Sequence, residues 1–167
     1  MSKKFFLAVS FMAIVLFLGG KVYAEGHQYA GVSKCKMCHS SESKGNQYKI
    51  WKESSHAKAY ESLATDAAKK AAEKKGLTTD PQKSPECLKC HVTVSGSEAD
   101  GVQCESCHGA GSDYISLSTM KDKQKAIEAG LVMPTKEVCV KCHNPESPNY
   151  VEFNFDEFYK KIAHPRP

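Results

Sequence analysis

Cys104-Glu105-Ser106-Cys107-His108 is the stretch whose reading decides the fold, because its spacing recurs three more times along the chain. The other copies are Cys35-Lys36-Met37-Cys38-His39, Cys87-Leu88-Lys89-Cys90-His91 and Cys139-Val140-Lys141-Cys142-His143. All eight Cys and four of the seven His belong to this one C-x-x-C-H pattern, and no Cys is left over. The pattern has a chemical reason. Two thiols three positions apart can each add to one vinyl group on the same haem edge, and the His that follows is held beneath the iron as its proximal ligand. Four covalently attached c-type haems are therefore expected, with His39, His91, His108 and His143 as proximal ligands.

Rival uses of cysteine do not fit. Eight Cys in an exported chain first suggest a four-disulfide framework, but the spacing rejects it. A zinc site can use C-x-x-C pairs yet does not require a His after every pair. A redox C-x-x-C of the thioredoxin type occurs once, within a βαβ pattern that this sequence lacks.

Working outward, the N-terminus carries an export signal. Lys3 and Lys4 precede an apolar run from Phe5 to Leu18, then Gly19-Gly20 and the small-residue site Val22-Tyr23-Ala24. Residues 1–24 are expected to be a cleaved signal peptide and residues 25–167 one tetrahaem domain. The apolar run is short for a membrane span, which needs about 20 residues, so no span is expected after cleavage. No Cys follows the cut, which argues against a lipid anchor there. Export matches the chemistry, since c-type haem attachment takes place outside the bacterial cytoplasm, and a periplasmic or secreted location is expected.

Without the leader, 20 of the 23 basic residues remain against 19 acidic ones, a net charge of +1. That balance excludes a nucleic-acid-binding reading. The mature chain is poor in large aliphatic residues and holds a single Trp. It cannot offset its conformational entropy by apolar burial alone. Four haems leave about 36 mature residues each, so the haems are the core and the polypeptide the wrapping. The expected fold is mainly α, templated by haem, with long irregular stretches and almost no β.

The local patterns predict helices over Asn46–Ser54 and Ala57–Lys75, the second stopped by Gly76. Thr78–Pro85 reads as a loop. Twelve residues separate the second and third motifs, which predicts neighbouring haems, and Val92-Thr93-Val94 within them reads as extended. A short helix over Lys121–Ala129 ends at Gly130, and a last helix runs from about Asp156 to Ile162.

Several of these stretches resemble the tetrahaem cytochrome c-554 family. They are Trp51-Lys52-Glu53-Ser54-Ser55-His56-Ala57-Lys58-Ala59-Tyr60-Glu61-Ser62-Leu63, Gly101-Val102-Gln103-Cys104-Glu105-Ser106-Cys107-His108-Gly109, Asn144 after the last motif, and Phe153-x-Phe155-Asp156-Glu157 before His164. They occur in the family's order over nearly the whole mature chain. The resemblance implies an electron carrier, an α-rich fold and haems in stacked pairs. It also implies three haems with two His ligands and a second haem with an open iron face, here the haem on His91. One departure stands out. The family places a distal His about ten residues after its third motif, whereas this chain has none between His108 and His143 and offers Met120 instead. An extra residue, His27, precedes the first motif.

Four side chains are thus candidates for the sixth coordination positions: His56 and His164, which match family ligands, together with His27 and Met120. Trp51, Tyr48, Tyr60, Tyr114 and Phe158 are expected to pack on porphyrin. The function expected is electron transfer with redox partner proteins, either other cytochromes or quinol-linked membrane donors. The alternatives are a small haem enzyme acting on nitric oxide, nitrite or hydroxylamine at one open haem, and a subunit of an extracellular electron conduit. A catalytic role has the weaker case, because no His, Cys or Lys cluster is left free to protonate a substrate.

Overall fold

The computed structural model describes residues 26–165. The expected signal peptide, residues 1–24, lies outside the described residues. Within them the chain forms ten α-helices of four to nine residues. These are α1 (Val32–His39), α2 (Gln47–Glu53), α3 (Ala59–Ser62), α4 (Asp66–Lys74), α5 (Pro85–His91), α6 (Cys104–His108), α7 (Leu117–Met120), α8 (Lys123–Glu128), α9 (Lys136–Cys139) and α10 (Phe155–Lys160). Two 3-10 turns, Glu42–Lys44 and Glu98–Asp100, complete the order, and no strand occurs among the described residues. The mainly α expectation holds. No helix among the described residues is long and apolar enough to cross a membrane.

Helices this short are marginal by themselves and persist only when packing holds them. The polypeptide supplies little packing of its own. Its buried apolar residues are Val32, Trp51, Ala57, Leu63, Ala72, Tyr114 and Ala126, of which three are alanines. Val32, Trp51 and Ala57 form one cluster, flanked by Tyr48 and Cys104. A core of that size cannot offset the ordering of the whole chain. The interior has to be completed by something other than protein.

One predicted helix is divided and another is trimmed at its ends. The expected Ala57–Lys75 helix is split into α3 and α4 because hydroxyls compete for the backbone between them. Ser62 Oγ donates to Ala59 O at 2.6 Å, Thr65 Oγ1 donates to Ser62 O at 2.8 Å, and Thr65 Oγ1 then caps α4 by accepting from Ala68 N at 3.2 Å. The Gly76 stop is as predicted, with Leu77 N donating to Ala72 O at 2.9 Å past a left-handed Gly76. The expected Lys121–Ala129 helix is found as α8, starting two residues later because Asp122 caps it through Gln124 N and Lys125 N; Met120 ends the separate α7. Pro85, expected in a loop, opens α5 at its first turn, where its missing N–H costs nothing. Val92 is extended at φ −139°, ψ 142°, but makes no ladder.

The chain before α1 is pinned to the third motif. Ala30 N and Gly31 N donate to the two carboxylate oxygens of Glu105, each at 2.7 Å, and Gly111 N adds a third bond at 2.6 Å. Val32 N donates to Gln103 Oε1 at 2.9 Å. Gln28 and Ser112 exchange two more bonds, Gln28 N to Ser112 Oγ at 2.9 Å and Ser112 N to Gln28 O at 3.0 Å. Trp51 Nε1 donates to Val102 O at 2.7 Å, so α2 is anchored to the same segment.

Candidate haem centres

Three of the four motifs lie whole within a helix, in α1, α5 and α6. The fourth begins in α9 and continues as a turn, with Cys142 N and His143 N both donating to Cys139 O at 3.2 and 3.0 Å. Helical spacing brings residues three apart onto one face, so each pair of thiols is presented together. Cys38 is exposed and the other seven thiols are half-buried.

Two of the motif imidazoles, those of His91 and His108, are oriented by their second nitrogen. His91 Nδ1–H donates to Ala59 O at 2.8 Å, and His108 Nδ1–H donates to Val132 O at 3.0 Å. A carbonyl can only accept, so in both rings the proton is on Nδ1 and Nε2 is left bare as a metal donor. Burial lowers the pKa of His56, and His143 lowers it further. Burial also lowers His108, with the Val132 carbonyl opposing and His164 and His39 adding to the shift, and burial lowers His143. These rings are thereby held neutral, the form that binds iron.

Two ring pairs face one another. The centroids of His56 and His143 are 6.1 Å apart at 75° between planes, and those of His108 and His164 are 5.9 Å apart at 41°. Two imidazoles sharing one metal ion are separated by two bonds of about 2 Å plus the distance from each nitrogen to its ring centre, or about 6 Å in all. Both centroid separations match that spacing. His143 is further packed by Phe153, stacked at 5.0 Å, and by the edge of Phe158 at 5.7 Å.

The motifs also touch one another through sulfur. The Cys35 and Cys104 thiols hydrogen-bond, which lowers Cys35 and, together with burial, raises Cys104. Cys142 is pushed up to about 12 by burial and then by its hydrogen bond with Cys90. Burial raises Cys107, and the nearby Cys139 raises it further. The thiols of the first and third motifs, and those of the fourth and second, therefore lie beside one another. Lys89 Nζ to Glu146 Oε2 at 3.1 Å joins the second and fourth motifs again, and Thr93 Oγ1 to Ser106 Oγ at 2.6 Å ties the second to the third. The buried Gln103 Nε2 has no protein partner and is a donor suited to a haem carboxylate. Thiol pairs, bare imidazole nitrogens, facing rings and a missing interior all fit covalently bound haem.

The sequence-derived candidates fall out as follows. His56 lies opposite the fourth motif's His143, held from behind by Gly101. That glycine has φ +61°, and a Cβ there would stand 2.7 Å from His56 O. His164 lies opposite the third motif's His108, its neighbour Pro165 fastened by Gln47 Nε2 to Pro165 O at 2.9 Å. His27 sits in the pinned arm, its Nδ1 2.7 Å from Asp113 Oδ2. Met120 ends α7, half-buried, below the Ser116 cap. Met37 is 74% exposed, in keeping with a variable spacer. Sequence reasoning missed Gln103, Glu105 and Asp113. The first two lie inside the family-like stretch before His108, yet nothing local says that their partners are some 70 residues upstream.

A family profile described as "Cytochrome c554 and c-prime" matches residues 34–109. A curated relative, cytochrome c-554 of Nitrosomonas europaea, is 28% identical over 206 aligned positions, covering 95% of this chain and 84% of that protein. No solved structure matches the chain.

Proposed function

This chain belongs to the cytochrome c-554 family, and we propose that it is an exported electron carrier holding four covalently attached haems. Covalently bound c-type haem and haem-based electron transfer follow from the family. The count of four, the periplasmic or secreted location and the individual ligands are the proposal. Bound haem supplies a one-electron iron couple. The chain's own task is to hold four such couples in sequence and to keep their ligands still while the charge changes. The observation that supports the reading most directly is the pair of ring separations, His56–His143 at 6.1 Å and His108–His164 at 5.9 Å, each setting a histidine from outside the motifs beside a motif histidine. Electrons arrive from and leave to redox partner proteins, either other cytochromes or quinol-linked membrane donors.

Ring separations support two of the ligand assignments and the path of the N-terminal arm supports a third. His56 serves the iron held by His143, and His164 the iron held by His108. His27 serves the iron held by His39, because its arm leads directly into α1 and is fastened to α6, whose Cys104 contacts Cys35. Met120 is then not needed. Mass spectrometry of the mature protein tests the haem count, with four additions expected and fewer refuting it. Reductive titration tests the carrier role. Four one-electron waves with rapid exchange to a second cytochrome are expected, and slow or absent exchange removes the reading.

A second activity has one specific observation in its favour. With His56 and His164 committed to other motifs, and His27 to the first, the His91 iron is left without a sixth ligand. Such a centre binds diatomic molecules. Carbon monoxide added to the reduced protein should form a complex at one haem in four, and no binding would assign a sixth ligand to that centre. Turnover of nitric oxide, nitrite or hydroxylamine there would make the protein an enzyme as well as a carrier.

A further inference from the structure

We propose that Asp113 is a positioning residue for His27: its carboxylate fixes the ring with Nε2 facing the iron and gives that centre the lowest reduction potential of the four. The inference rests on the reading of His27 as a sixth ligand. His91 and His108 each donate Nδ1–H to a neutral backbone carbonyl, at 2.8 and 3.0 Å. His27 instead donates to a carboxylate, at 2.7 Å. Charge-assisted hydrogen bonds are shorter and roughly twice as strong as neutral ones, and a carboxylate behind a ligating imidazole raises its basicity. A more basic imidazole favours the more positively charged ferric iron over the ferrous one, so the potential falls.

The pair is built into its surroundings on both sides. Ser112 Oγ donates to Asp113 Oδ1 at 2.6 Å and aims the other oxygen at His27. The same Ser112 is bonded twice to Gln28, the residue after His27. The ring's far edge lies on the bare Cα of Gly130, where a Cβ would stand 3.2 Å from both Cε1 and Nε2. A free histidine on a chain terminus has none of these constraints. His27 and Asp113 are about half exposed on the polypeptide alone, at 50% and 53%. An ion pair so exposed contributes little to stability. Its orientation of Nε2 is therefore the better account of why it is built so carefully.

The test uses the mature holoprotein with all haems attached, in the wild type, Asp113→Asn, Asp113→Glu, His27→Ala and the double variant His27→Ala/Asp113→Asn. Low-temperature electron paramagnetic resonance reads spin state, and a spectroelectrochemical titration reads the four potentials. Loss of a partner behind a ligand typically changes the metal equilibrium 10–100-fold. Asp113→Asn should therefore keep the three low-spin ligand sets, yet shift the lowest couple by about tenfold, or about 59 mV upward for one electron. Asp113→Glu should restore part of that shift. His27→Ala should turn one low-spin haem high-spin, and adding Asp113→Asn to it should change nothing further. The ligand reading itself fails if His27→Ala leaves the low-spin signal intact. The proposal alone fails if His27→Ala gives the high-spin haem but Asp113→Asn moves no potential. It fails equally if the Asp113→Asn shift persists in the His27→Ala background, since Asp113 then acts only as a nearby surface charge.

Discussion

Replacing Glu105 by Ala removes a side chain that faces no ligand position and should still loosen the first haem centre. Glu105 is 2% exposed, and its two oxygens take backbone N–H groups from Ala30, Gly31 and Gly111 at 2.7, 2.7 and 2.6 Å. Hydrogen bonds to a charged group contribute about 1.5–3 kcal/mol each. The three donors lose their acceptor together, and some regain water, so the low end of that range applies to each. A loss of about 4 kcal/mol is expected for Glu105→Ala. Glu105→Gln keeps one carbonyl oxygen and should lose about half as much. Guanidinium unfolding of the holoprotein, followed by far-UV circular dichroism, measures the change as a shift in midpoint at constant slope. Hydrogen exchange supplies the local readout: the amides of Ala30, Gly31 and Gly111 should lose protection well before the rest of α6. Cys104 and Cys107 are untouched, so the haem count should stay the same. The reasoning is refuted if Glu105→Ala unfolds within about 1 kcal/mol of wild type, or if those three amides stay protected.

Three further outcomes follow from the same structure. His56→Ala should convert the haem on His143 from low to high spin with all covalent attachments retained, and an unchanged resonance spectrum would strike His56 from the ligand set. Gly101→Ala combines φ +61° with a Cβ 2.7 Å from His56 O and 3.0 Å from Ala57 O. It should cost about 2–3 kcal/mol in chemical denaturation and add a high-spin fraction by displacing His56; a wild-type midpoint and spectrum together would contradict it. Gln47→Ala frees Pro165 O from its 2.9 Å bond. It should destabilise by about 1 kcal/mol and speed exchange of the His164 ligand with added imidazole, which stopped-flow absorbance reads directly.

The attachment chemistry was legible in the sequence because C-x-x-C-H is local: five consecutive residues contain both thiols and the proximal imidazole. The Gly76 stop and the α2 and α10 helices were legible for the same reason. The α3–α4 break was not, since Thr65 reads equally well as a helix interior or a cap until Ser62 shows which way its hydroxyl turns. The same holds at Asp122, whose capping moved the helix start by two residues. Sixth ligands could be nominated by counting histidines but not paired. Nothing in the order His56, His108, His143, His164 says that the first faces the third. Least visible was Glu105, which occupies a spacer position between two cysteines. Two of the three amides that fix its side chain, those of Ala30 and Gly31, lie more than 70 residues away.

That distance has a consequence for how the protein is made. On the proposed reading the chain leaves the cytoplasm N-terminus first, so residues 26–39 emerge before 103–113 and Cys35 and Cys38 can meet the attachment machinery before the seat for the upstream arm exists. Closing a loop of some 75 residues costs little more than closing one half as long, but it cannot happen until the third motif has emerged. Maturation of the first centre therefore has two separate moments, bonding to sulfur early and final seating late. On that reading the chain is not a string of separate single-haem modules: a fragment ending after the second motif would lack Glu105 and Gln103, the residues that clasp the upstream arm.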